Sequence, residues 1–149
     1  MAKFTRSEQI IAFYIRGLNC IQSGEALFNS TKTPDPNKPY DILLIHGIEL
    51  ILAAYIMAND ASVVDAKAVY SKFHHLYGKM YKECQKLDTA NIVFQDKELT
   101  DHVLHLADAY APSVIEVRFP SESGLMSFPT KIFEVLKEKL IAPLKNLTS

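Results

Sequence analysis

One segment near the centre of the chain, ILLIHGIELILAAYI, places two polar side chains in an otherwise apolar run. His46 and Glu49 are spaced i, i+3, so on a helix they share a face. A carboxylate buried there without a counter-charge costs several kcal/mol (order of magnitude) or takes up a proton. The sequence offers one matching cation in a second apolar stretch, YAPSVIEVRFP, which ends in Arg118. Arginine is scarce, three residues (Arg6, Arg16, Arg118) against thirteen lysines. A guanidinium suits the place because it meets a carboxylate with two parallel hydrogen bonds. The pairing Glu49–Arg118 reads in two ways, as an ion pair that docks the extended segment onto a bundle or as part of a ligand site.

Other residues with chemical capacity fall into weaker patterns. His74 and His75 are adjacent and diverge by about 100° on a helix, so at most one faces inward. His102 and His105 are i, i+3, but two such ligands leave a metal short of a third and fourth, and no nearby motif supplies them. Lys72, Lys79 and Lys86 recur every seven residues with Lys82 on the same side. That stripe reads as a solvated helix face or as a strip of phosphate contacts. Cys20 and Cys84 match no metal spacing and read as reduced core thiols. The five glycines form no phosphate-cradling loop, and neither a GxSxG nor a Cys-His signature is present.

The elements that must position these groups are helical. At 149 residues, 48% apolar and 22% charged, the chain has the length and composition of one globular domain. A net charge of −1 argues against a wholesale polyanion binder. The start, MAKFTRSEQ, contains no apolar signal region, and the expected location is the cytoplasm. Thr5 and Glu8 have capping-box spacing ahead of a first helix running to about Phe28. Three prolines in NSTKTPDPNKPY interrupt it. The second helix, about Tyr40 to Asn59, is apolar nearly all round, which suits the centre of a bundle better than a membrane span carrying His46 and Glu49. A third helix is expected from about residue 70 to Leu87, and a fourth from near Asp96 to Tyr110, stopped by Pro112. Residues 113–119 read as extended. The last helix begins near Pro129 with Ile132, Phe133, Leu136, Leu140 and Ile141 on one side. The predicted fold is an all-α up-and-down bundle of about five helices with one extended connection before the last. Phe128, Phe133 and Leu140 add apolar surface to a bundle already filled by four helices, which points to a homodimer.

Three segments in order resemble the HEPN (higher eukaryotes and prokaryotes nucleotide-binding) domain family. ILLIHGIELILAAYI resembles its second helix, with a glutamate ahead of leucines. FHHLYGKMYKEC is similar to its Gly-His-x-Leu helix start, with Phe73-His74 in place of the glycine. YAPSVIEVRFP resembles its tyrosine-to-Arg-Tyr-Pro segment. The resemblance covers roughly residues 40–120. It implies a HEPN-like helical bundle, usually dimeric, with Glu49, His75, Tyr110 and Arg118 as a polar cluster beside His46. It also implies a nucleotide- or RNA-associated role, a defence or toxin–antitoxin setting, and a nucleotidyltransferase-type protein partner. Ribonucleases of the family carry an arginine followed four to six residues later by a histidine. No arginine here has a histidine at that distance. The reading is therefore a non-catalytic binding or partner module without cofactor or metal; a diverged ribonuclease and a purely structural dimer are the alternatives.

Overall fold

In a computed structural model, residues 3–30, 39–74, 77–110 and 131–148 are described, with the side chains of Pro39 and residues 107–110 excepted. Among the described residues the chain is all helical, with six helices and no strand. These are α1 (Arg6–Ser30), α2 (Pro39–Asn59), α3 (Ala66–Phe73), α4 (Tyr77–Leu87), α5 (Lys97–Tyr110) and a composite C-terminal helix α6 (132–148). The extended connection expected at 113–119 lies outside the described residues.

Local hydrogen bonds set several of the helix ends. The Thr5 backbone N–H donates to Glu8 Oε2 at 2.7 Å, and the Glu8 N–H donates to Thr5 Oγ1 at 3.2 Å, so the capping box forms as the spacing predicts. Asp65 caps α3 by accepting from the Ala68 N–H at 2.8 Å. Asp96 accepts from the Leu99 N–H at 2.9 Å and starts α5 where the sequence places it. At the far end of α2 the Arg6 guanidinium donates to the carbonyls of Met57 and Asp60. A cation on those last carbonyls offsets the negative end of the helix.

The core is built around α2. Leu44, Ile48, Ile51, Leu52, Ile56 and Met57 are fully buried. Its length and composition would suit a membrane span, but 78% of its apolar window is buried inside the bundle. α1 lies along it at a glycine-mediated crossing. A Cβ added at Gly17 would stand 2.7 Å from the Gly47 carbonyl oxygen and from Ile51 Cγ1. One at Gly47 would stand 2.7 Å from Ile21 Cγ1. Only hydrogen in place of a side chain lets the two backbones come this close. α4 adds Tyr77, Met80, Tyr81 and Cys84; α5 adds Leu99, Val103 and Leu106.

The third helix departs from expectation. It is two helices, α3 and α4, because His74 adopts the left-handed conformation (φ 50°, ψ 41°) and its N–H bonds to the Tyr70 carbonyl at 2.9 Å. A left-handed residue ends a helix, and the sequence signal for one is usually glycine, so this stop is disguised. Lys72 therefore sits on α3, while Lys79, Lys82 and Lys86 sit on α4, and the seven-residue register does not run along one continuous helix.

The last helix is also irregular. It is α-helical over Ile132–Val135, widens to π turns over Leu136–Ile141, and tightens to 3-10 turns over Ala142–Thr148. The chain passes Pro143 without ending there. Pro143 cannot donate a backbone N–H. The Tyr14 hydroxyl on α1 donates to the Ile141 carbonyl at 2.9 Å and satisfies a buried acceptor in this stretch. Phe133 and Leu140, expected to be surplus to the bundle, are 3% and 1% exposed within the chain itself. Their apolar surface is used internally and gives no reason for a dimer; Phe128 lies outside the described residues.

Between α4 and α5, Asp88 organises a tight loop. Its carboxylate accepts from the N–H groups of Ile92 at 3.1 Å, Val93 at 2.8 Å and Phe94 at 2.8 Å. Burial pushes its carboxyl pKa up, and the three donors outweigh that, leaving it below the ordinary aspartate value.

Candidate functional site

Glu49 is one of three buried polar or charged side chains among the described residues, with Asp41 and Asp88. Its place follows from helix geometry. α2 packs against α1, α3 and α4, and its residues 47–57 are all buried. Glu49 is 6% exposed, while His46, one turn earlier, has a side chain 53% exposed. His46 Nδ1 lies 3.9 Å from Glu49 Oε2. The i, i+3 spacing thus brings the two together as predicted, at the outer limit of an ion pair. The exposed ring caps a carboxylate that reaches inward.

Tyr70 of α3 lies within range of this carboxylate's charge. Burial pushes the phenol pKa well above its ordinary value, and the negative charge of Glu49 pushes it further the same way. Phe13 of α1 packs near its ring, with centroids 6.2 Å apart. The described part of the site therefore contains Glu49 and His46 from α2 and Tyr70 from α3. Sequence reading missed Tyr70 because it fell at the edge of an ambiguous connection. The available signal was Asp65, whose capping position starts α3 early enough to place Tyr70 on a helix facing α2.

Other predicted members do not enter this description. Arg118 and His75 lie outside the described residues. Tyr110 ends α5, and its side chain lies outside them too. Lys72, Lys79, Lys82 and Lys86 are all exposed. Lys72 stands 5.3 Å from the Phe73 ring centre, and Lys86 is 3.9 Å from Glu83. On α4 the lysines lie on the exposed face, opposite the buried Tyr77, Met80, Tyr81 and Cys84.

His102 Nδ1 is 2.8 Å from the Glu98 carbonyl oxygen of its own helix, and His105 is exposed. Among the described residues no group of three or more His, Cys, Asp or Glu side chains is placed to hold a metal ion. Cys84 is buried in the core, and burial pushes its thiol pKa well up. Cys20 is only half-buried, beside the α1–α2 crossing.

The chemical set is a carboxylate at Glu49, a phenol at Tyr70 and a half-exposed imidazole at His46 on the rim. Such a set suits recognition of a polar group. No protein-family model, curated protein or solved structure matches this chain.

Proposed function

We propose that the chain is a HEPN-like helical module that binds a nucleotide or RNA, or docks a nucleic-acid-handling protein partner such as a nucleotidyltransferase, without cleaving RNA. The setting would be cytoplasmic, in a defence or toxin–antitoxin pair, with the module as a homodimer. The observation that carries this reading is Glu49, a carboxylate held inside the apolar central helix with His46 and Tyr70 about it. A carboxylate with an imidazole at its rim has the chemistry that recognises the N–H groups of a base edge. The absence of an arginine-to-histidine ribonuclease spacing supports binding over cleavage.

Titrating fluorescent single-stranded RNA, AMP, ATP and GTP against the full chain tests it. Saturable binding by at least one probe is expected, weakened about tenfold in Glu49→Gln, with circular dichroism and urea midpoint retained in the variant. No saturable binding to any probe at millimolar concentration would refute the reading. So would RNA cleavage lost in Glu49→Gln. Sedimentation equilibrium tests the dimer, which a monomer at high micromolar concentration would rule out.

A further inference from the structure

A second feature lies about 9 Å along α2 from Glu49, six residues at 1.5 Å each. Here the last turn of α2, the Asp88 loop and the final turns of α6 line an open cleft of about 350 Å³. Its polar lining is Tyr55, Asn59, Asp88 and Asn146; the apolar lining includes Ile92 and Leu147, and among the described residues no lysine or arginine lines it. This volume is at the small end of the range for ligand pockets.

Tyr55 sets the chemistry. It is 8% exposed, and its hydroxyl has no hydrogen-bond partner among the described residues. Its ring is held edge-on against Phe94 with centroids 4.6 Å apart, so the hydroxyl has a fixed position. Burial, with Asp88 and Cys84 adding to it, pushes the phenol pKa up to about 12, so it stays neutral at physiological pH. The ring is buried while the hydroxyl opens into the cleft, so its hydrogen-bonding capacity is available to a guest. Asn59 commits its Nδ2 to the Tyr55 carbonyl at 2.9 Å, which leaves its Oδ1 as an acceptor. With the Asp88 carboxylate in the same wall, the polar lining is rich in acceptors and carries a negative charge. Its complement is a compact cation with N–H donors and a short hydrocarbon tail.

We propose that this cleft binds a small primary alkylammonium ion, its head between Tyr55 and Asp88 and its chain over Ile92 and Leu147. The site is separate from Glu49, so it stands or falls independently of nucleotide binding.

The probe is n-butylammonium, with butyrate, of similar length and opposite charge, as the control, titrated into the isotopically labelled full chain and followed through the side-chain amide signals of Asn59 and Asn146. Saturable shifts with butylammonium and none with butyrate are expected. Tyr55→Phe keeps the ring against Phe94 and should weaken butylammonium binding about tenfold, the loss of one charge-assisted hydrogen bond. The proposal is overturned by equal shifts from butyrate, by no saturable shift, or by wild-type affinity in Tyr55→Phe.

Discussion

Asp88 offers the sharpest test of how this fold is held, because two substitutions should differ for a reason visible in the geometry. Val93 and Phe94 both donate to Oδ2, at 2.8 Å each, while Ile92 donates to Oδ1 at 3.1 Å. Val93 and Phe94 are buried, and Ile92 is 71% exposed. Asp88→Ala orphans all three N–H groups, but water reaches only the one at Ile92. Two buried donors left unsatisfied cost about 1–3 kcal/mol each. Relief from burying a charge returns part of that, so the net loss should be about 2–4 kcal/mol.

Asp88→Asn with its carbonyl oxygen in the Oδ2 position keeps both buried bonds. It loses only the exposed one and the charge assistance, about 1–2 kcal/mol. Urea unfolding of the three proteins gives these differences, and amide exchange at Val93 and Phe94 should accelerate in the alanine variant alone. The pH dependence has a definite sign. The folded pKa of Asp88 is lowered, so its contribution is complete above the unfolded value of about 3.9 and fades as pH falls through the folded one. The gap between wild type and Asp88→Asn should therefore be full at neutral pH and shrink below about pH 4. An alanine variant within about 0.5 kcal/mol of wild type, against the orphaned-donor cost, would refute the reasoning. An asparagine variant as damaged as the alanine one would do the same.

Gly47→Ala should destabilise by about 1–2 kcal/mol in urea unfolding: overpacking against Ile21 and Gly17 outweighs alanine's helix preference. Wild-type stability would show that α1 and α2 separate freely. Tyr14→Phe should cost about 1–1.5 kcal/mol by leaving the Ile141 carbonyl without its donor. An unchanged thermal midpoint would mean that this bond contributes nothing. At His74, valine should be about 1–2 kcal/mol less stable than glycine, since φ of 50° penalises a β-branched side chain most. Equal stability of the two variants would contradict the left-handed helix stop.

How much was legible in advance follows the range of the interactions concerned. The capping box of α1, the span of α2 and the start of α5 at Asp96 rest on hydrogen bonds three or four residues apart and on apolar periodicity, and local sequence carries both. The inward face of α6 was legible for the same reason, with Ile132, Phe133, Leu136, Leu140 and Ile141 all buried. At the candidate site, His46 and Glu49 were readable as a pair because they share one helix.

Tertiary structure decided the rest. Tyr70 comes within range of the Glu49 charge only because α3 packs on α2, and Tyr14 finds the Ile141 carbonyl 127 positions away. The glycine crossing joins Gly17 to Gly47, and the cleft at Tyr55 takes its walls from three separate parts of the chain. The break at His74 belongs here too, since histidine gives no local warning of a left-handed residue. Helix periodicity says which face of a helix is buried. Which partner covers that face is settled by packing between residues far apart in sequence.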